Sequence, residues 1–107
     1  MLKINASMKQ IADELKNFLS QRIRVNHLIL FGSYAYGSPR QDSDIDVVVV
    51  SDDFITMSVW DKIALLAGAS VAVDSRIELV GVTSKDYSAS QKGSLLSEIK
   101  SKGKILF

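Results

Sequence analysis

The chain of 107 residues contains no cysteine, and this absence excludes several classes of site at once. Disulfide frameworks, thiolate zinc sites and iron–sulfur clusters all depend on cysteine. A metal bound by this chain must therefore be held through oxygen ligands. Oxygen ligands favour a hard cation such as magnesium.

The sequence also lacks a charge excess of either sign and any long apolar run. Its formal net charge is +1, which is too balanced for the basic surface that binds DNA or RNA. No stretch reaches the roughly 18 apolar residues that a membrane span needs. The first residues, 1–5, lack the apolar core of a signal peptide. We therefore expect a cytoplasmic protein with neither a membrane nor a nucleic acid as its direct partner.

The composition of the chain and its lack of repeats and linkers predict a single domain over residues 1–107. Hydrophobic residues make up 47% and charged residues 23%, which is ordinary for a globular protein. Pro39 is the only proline, and no repeat or linker interrupts the sequence. A chain of this length fits one compact domain.

Hydrophobic periodicity predicts alternating helices and strands. Helices are expected at 7–21, 57–69 and 94–102, with Gly103 ending the last one, and a short helix could begin near Ser33. Strands are expected at 25–31, 44–50, 76–82 and within 104–107. In the middle helix, Val59, Ile63, Leu66 and Ala67 are expected to face inward, and Trp60 is expected to pack the helix against the sheet. This alternation favours an α/β or α+β domain in which helices cover one sheet.

Two carboxylates, Asp44 and Asp46, begin the most apolar strand of the chain. Because side chains alternate along a strand, both carboxylates point to the same face. At about 4 Å apart, two like charges repel by roughly 4 kcal/mol at an effective dielectric constant of about 20. A bound divalent cation would remove that repulsion. The alternative is a solvated strand end or a turn cap, and the pair alone does not decide between the two.

The segment Phe31-Gly32-Ser33 follows the first apolar strand. Glycine permits a tight turn and a close backbone approach to a ligand. Amides at the start of a following helix, together with the Ser33 hydroxyl, can then bind a phosphate group. An ordinary strand-to-helix turn with a serine cap explains the same residues.

Taken together, these two motifs resemble the signature of a known superfamily. Gly32-Ser33, ten intervening residues and then Asp44-Ile45-Asp46 are similar to the signature of the DNA polymerase beta-type nucleotidyltransferases. The length and layout resemble the minimal nucleotidyltransferases that partner HEPN proteins. The resemblance implies the nucleotidyltransferase fold, a small mixed β-sheet flanked by helices.

The resemblance also implies a third carboxylate on a neighbouring strand. Glu78, within the apolar stretch 76–80, is the best match, although many members of the superfamily have aspartate there. Asp74 is the alternative, but it is expected in the loop before the strand.

The site residues and their roles are implied by the same resemblance. Gly32 and Ser33 would hold the phosphates of ATP or another nucleoside triphosphate. Asp44, Asp46 and Glu78 would hold two magnesium ions, which clamp the attacking and leaving oxygens. Glu78 could also help to deprotonate the acceptor hydroxyl.

Three functional hypotheses follow. In the first, the chain transfers a nucleotide, expected to be AMP, to a tyrosine of a HEPN toxin and so acts as an antitoxin. In the second, it neutralises the HEPN partner by contact alone. In the third, it is a stand-alone transferase for a small hydroxylated molecule, with a homodimer interface as the acceptor pocket.

Overall fold

The structure, a computed structural model, describes residues 6–32, 35, 44–89 and 93–107 of the chain. Four strands form one sheet: β1 (His27–Phe31), β2 (Ile45–Val50), β3 (Ile77–Val82) and β4 (Lys104–Ile105). The α-helices are α1 (Ala6–Ser20), α2 (Val59–Val73), α3 (Ser84–Ser88) and α4 (Leu95–Lys102), and a short 3-10 helix covers Asp52–Ile55.

The sheet is mixed, with the strand order β3-β2-β1-β4. β1 pairs antiparallel with β2 on one side and with β4 on the other. β2 pairs in parallel with β3, and α2 lies in the connection between them. This is the connection that a parallel pair requires, since a short turn cannot return the chain to the same end of the sheet. The predicted class, a small mixed sheet flanked by helices, is confirmed.

β2 lies inside the sheet, between β1 and β3. Ile45 and Val47–Val50 are all buried, and the partly buried Asp46 is the one polar residue of the strand. A β-branched run buried on both faces is typical of an interior strand next to a parallel neighbour. The strand therefore holds one carboxylate in a rigid and otherwise apolar setting.

α1 and α2 pack on one face of the sheet. The core on that face joins buried apolar residues of both helices with the inward residues of three strands, among them Leu15, Leu19, Leu30, Val47, Ala69 and Ile77. On the opposite face, Ile99 of α4 packs with Ile29, Val48 and Val50, and Tyr87 borders this smaller cluster. The second face is thus only partly covered by described elements, and it is the face to which Asp46 belongs, two residues before Val48.

Of the residues expected on the inward face of α2, Leu66 contacts the core, and the others are exposed. Val59, Trp60 and Ile63 are 67%, 80% and 53% exposed, and Ala67 is exposed as well. The residues that contact the core are Leu65, Leu66, Ala69 and Val73. Because α2 is apolar almost all the way round, its periodicity does not identify one face, and the expected stripe shares only Leu66 with the one that contacts the core.

The other boundaries differ by a few residues. α1 begins at Ala6, so Ser7 lies inside the helix. α4 begins after Ser94, whose side chain accepts a hydrogen bond from the Ser97 amide, and it ends at Gly103 as expected. The 3-10 helix and α3 had no counterpart in the sequence analysis, since both are too short for periodicity to show. The expected helix near Ser33 lies outside the described residues.

Candidate active site

The two strands of the parallel pair bring Asp46 and Glu78 side by side. Asp46 of β2 is in register with Glu78 of β3. The next pair on the same face is Val48 with Val80, so the two carboxylates stand on one side of the sheet, near the start of both strands. The pairing of β2 with β3 therefore places two carboxylates that are distant in sequence next to each other.

Asp44, which lies just before β2, is the third carboxylate near Asp46 and Glu78. Its side chain is exposed, and its charge acts on both of the other carboxyl groups. Asp44 and Asp46 both lie close enough to Glu78 to raise the pKa of its carboxyl group. We refer to Asp44, Asp46 and Glu78 as the acidic trio.

Repulsion between carboxylates and desolvation together raise the pKa values of Asp46 and Glu78. The charge of Asp44 is the largest cause of the raised pKa of Glu78, followed by desolvation and the charge of Asp46. Partial burial raises the pKa of Asp46, with a further contribution from Asp44, while the hydrogen bond with Glu78 acts in the opposite direction. The group therefore favours binding a positive species, either a proton or a cation.

Gly32 lies against Asp46, directly after β1. Its φ angle is +76°, in the left-handed region that favours glycine. A Cβ atom built on Gly32 would collide with Oδ2 of Asp46 and lie 3.3 Å from its Cγ. The turn after β1 and the acidic trio thus share one site, and the missing side chain of Gly32 leaves the room that the Asp46 carboxylate occupies. Ser33 lies outside the described residues.

Asp74, the rival of Glu78, has a different role. It ends α2 and forms an ion pair with Arg76, with 2.8 Å between Oδ2 and Nη2. Its Oδ1 accepts hydrogen bonds from the Arg76 amide at 2.9 Å and from Nε at 3.1 Å. The hydrogen bond from the Arg76 side chain is the main reason that the pKa of Asp74 is lowered. Asp74 therefore shapes the turn before β3, and Glu78 is the residue that meets the two aspartates.

The donor chemistry of the acidic trio fits magnesium. All its ligating atoms are carboxylate oxygens, the type that this cation prefers. Among the described residues, no group of three or more acidic, histidine or cysteine side chains is arranged to hold a metal ion. The charge of Asp44 raises the pKa of both Asp46 and Glu78, and a divalent cation would relieve that repulsion.

A mixed sheet with carboxylates on two neighbouring strands, beside a glycine turn, defines the class of the molecule as a nucleotidyltransferase fold. The family model of polymerase beta nucleotidyltransferases matches residues 13–107. The chain belongs to this family. The resemblance carried by the Gly32-Ser33 and Asp44–Asp46 motifs is therefore confirmed, and the chain is a member of the transferases.

One relative covers nearly the whole chain. It is a protein of Methanocaldococcus jannaschii named "putative protein adenylyltransferase". It is 31% identical over 103 residues, which are 94% of this chain and 95% of the relative.

Two similar solved structures are toxin–antitoxin assemblies. One is a crystal structure of a toxin–antitoxin with AMP-PNP, with a TM-score of 0.66 and 26% identity over 90% of this chain and 72% of the matched chain. The other is a tri-AMPylated HEPN toxin of Shewanella oneidensis in complex with an MNT antitoxin. Its TM-score is 0.62, with 25% identity over 94% of this chain and 72% of the matched chain.

Hydropathy adds one further finding. None of the helices in the described part of the chain has the length and apolar content of a membrane span.

Proposed function

We propose that the chain is a magnesium-dependent nucleotidyltransferase that moves AMP from ATP to a hydroxyl group of a HEPN partner protein and thereby acts as its antitoxin. The observation that carries the proposal is the convergence of Asp44, Asp46 and Glu78 beside the left-handed turn at Gly32. Family membership supports the transfer chemistry. The adenylyltransferase name of the relative and the AMPylated toxin in the similar structure support AMP and a protein acceptor.

The proposed ligands of magnesium are Asp44, Asp46 and Glu78. A bound cation would neutralise the negative charge that builds up on the phosphate oxygens as the nucleotide is transferred. The rigidity of β2 and β3 holds Asp46 and Glu78 in register, which limits how far the site must rearrange during the reaction.

The turn after β1 is the proposed phosphate-binding element. With no side chain at Gly32, the backbone approaches the acidic trio closely, so a phosphate chain can lie next to the carboxylates. Ser33 is proposed to donate a hydrogen bond to a phosphate oxygen, as the motif implies.

Glu78 is the proposed proton acceptor for the attacking hydroxyl. Its raised pKa makes it a stronger base than an ordinary glutamate once it is deprotonated. The acceptor oxygen then attacks the α-phosphorus of ATP, the bond from that phosphorus to the bridging oxygen breaks, and pyrophosphate leaves. The product is an AMP ester of the acceptor.

The test is to mix the purified chain with the HEPN protein of the same genome, ATP and magnesium. Mass spectrometry should then show the mass of AMP added to a tyrosine of the HEPN protein. The variant carrying Asp44→Asn and Asp46→Asn should add none, because both proposed cation ligands lose their charge.

The other two hypotheses predict different outcomes of that experiment. If the double variant still neutralises the toxin at wild-type levels, contact alone is sufficient and the antitoxin is a binding protein. Transfer to a small hydroxylated molecule without any HEPN protein would favour the stand-alone enzyme. No added nucleotide with any of the four nucleoside triphosphates would reject the transferase proposal.

A further inference from the structure

An open groove runs beside the acidic trio, along the outer side of β3. Its volume is about 460 Å³. One wall is formed by Ile63, Leu66 and Ala67 of α2, and the other by residues 77–80 of β3. Glu78 lines this groove and also belongs to the acidic trio, which lies on the sheet face opposite α2, so the groove and the candidate active site meet at the edge of β3.

The groove continues into an apolar surface that the fold itself does not use. Ile63 is 53% exposed and Val80 is 44% exposed on the two sides of the groove. Trp60, one helical turn before Ile63, is 80% exposed. Contiguous exposed apolar surface of this kind typically marks a binding site, and tryptophan is enriched among the residues that dominate binding energy.

The polar groups around the groove restrict what can bind there. The hydroxyl of Ser70 is engaged, since it donates a hydrogen bond of 2.6 Å to the Ile77 carbonyl. The charged residue of the groove walls is Glu78, with Asp44 and Asp46 next to it. An occupant must therefore be apolar along α2 and β3 and cationic or neutral where it reaches the acidic trio.

The edge of β3 offers one further type of contact. The carbonyls of Arg76 and Val82 accept hydrogen bonds from Ile45 and Ser51, so even-numbered residues of β3 direct their backbone groups toward β2. The backbone of Leu79 consequently faces away from β2, into the groove. Main-chain groups at a strand edge can pair with an extended segment of another protein.

We infer that this groove is the docking site for the acceptor protein, which inserts an apolar segment whose hydroxyl residue is flanked by cationic side chains. The inference rests on the proposed function, since it places the acceptor of that reaction. A segment bound between α2 and β3 contacts Glu78 at the edge of β3, and its hydroxyl residue reaches the acidic trio around that edge. Docking here explains why an apolar helix face stays exposed beside a charged site.

The experiment compares the same substitution at two exposed isoleucines. Ile63→Asp places a charge in the groove wall, whereas Ile105→Asp places the same charge on a residue that is 70% exposed and lies on β4, at the opposite edge of the sheet. Affinity for the HEPN protein is measured by calorimetry, AMP transfer by mass spectrometry, and ATP affinity on each variant alone.

The Ile63→Asp variant should bind the HEPN protein about tenfold more weakly or worse, while Ile105→Asp should bind like the wild type. Transfer should fall in Ile63→Asp mainly through a higher KM for the HEPN protein. ATP affinity should stay unchanged in both variants. If Ile63→Asp lowers the thermal midpoint, Ile63→Ala replaces it and should still weaken partner binding by about threefold or more.

Four results would overturn the docking site. Equal partner affinity of Ile63→Asp and the wild type is one, and an equal loss of affinity in Ile105→Asp is another. A selective loss of ATP affinity in Ile63→Asp would show that the groove holds the nucleotide. A wild-type dimer that Ile63→Asp converts to a monomer would show that a second copy of the chain occupies it. Failure of the proposed function is separate: the wild type would then bind the partner without transferring AMP.

Discussion

At the scale of single residues, the site depends on a side chain that is missing and on charges that repel. Gly32 adopts φ = +76° and leaves the space into which Oδ2 of Asp46 projects. The charge of Asp44 raises the pKa of both Asp46 and Glu78. This repulsion opposes folding of the isolated chain, whereas glycine adopts the left-handed conformation without strain.

Replacing Gly32 with alanine should damage both stability and transfer. The left-handed backbone costs alanine about 1–2 kcal/mol, and the new methyl group displaces the Asp46 carboxylate. A displacement of this size can lower the rate on the order of 100-fold. Urea denaturation and the AMP-transfer assay measure the two effects.

Gly68 provides the matched control for that substitution. It lies in α2, and a Cβ there would make an ordinary contact of 3.8 Å with Phe18. Gly68→Ala should therefore stabilise the protein by about 0.5–1 kcal/mol and leave transfer intact. Full transfer activity in Gly32→Ala would contradict the role assigned to the glycine turn.

Replacing Glu78 with glutamine should separate stability from function. The pKa of Glu78 is raised in the folded state, chiefly by Asp44, so its negative charge disfavours folding at pH values above that raised pKa. Glu78→Gln should have a higher thermal midpoint than the wild type at neutral pH, and the gain should vanish below the usual glutamate pKa. Transfer should be lost.

The control for Glu78→Gln is the exposed Glu98 of α4, which pairs with Lys102 at 3.3 Å. Glu98→Gln should lower the free energy of unfolding by a few tenths of a kcal/mol, whereas Glu78→Gln should raise it. A lower midpoint for Glu78→Gln at neutral pH would show that repulsion within the acidic trio is not what limits stability there.

At the scale of elements, the turn from α2 into β3 determines where Glu78 begins its strand. Asp74 binds the Arg76 side chain and amide, and the Arg76 carbonyl accepts from the Ile45 amide at 2.8 Å. The turn therefore joins the end of α2 to the first hydrogen bond between β2 and β3. The register that aligns Asp46 with Glu78 starts here.

Asp74→Asn should weaken the protein at neutral pH and not in acid. The lowered pKa of Asp74 means that its charge stabilises the folded state above the usual aspartate pKa of about 3.9, and that this contribution is lost as pH falls through the lowered value. The pair is partly exposed, so the effect at neutral pH should be at most about 1 kcal/mol. Urea denaturation midpoints of Asp74→Asn and the wild type, measured across the acid range, should converge as pH falls. A difference between the two midpoints that stays constant with pH would contradict the prediction.

The elements also show what the sequence could reveal and what it could not. Strands β1 to β3 were predictable because each consists mainly of apolar residues that favour strands, and α1 because Met8, Leu15 and Leu19 share one face and are buried. The orientation of α2 was not predictable, since apolar residues surround it. The choice of Glu78 came from the family resemblance, and its register with Asp46 needed the strand pairing.

At the scale of the whole molecule, the candidate site exists only in the folded chain. Its parts come from the turn after β1, the start of β2 and the start of β3, and the sheet order that joins them depends on pairings distant in sequence. Sequence periodicity carries no information on such order, so the mixed sheet was expected and the order β3-β2-β1-β4 was not.

Ligands of the site should therefore stabilise the entire domain. A ligand that binds only the folded state adds about 2.7 kcal/mol of stability at a concentration of 100 Kd. Magnesium with ATP should raise the thermal midpoint of the wild type, and a chelator should remove the gain. The variant with Asp44→Asn and Asp46→Asn should show no such rise. An equal rise in that variant would place nucleotide binding elsewhere.

The parallel pairing of β2 with β3 also has a consequence for the order of folding. An antiparallel neighbour can join β2 early, but β3 can align only after the intervening helix has traversed the sheet. Contacts between distant parts of a chain form slowly, because closing the long loop costs entropy before the contact is made. A refolding or newly synthesised chain should thus pair β1 with β2 first. The ability to bind nucleotide should appear later, in the slowest phase of refolding.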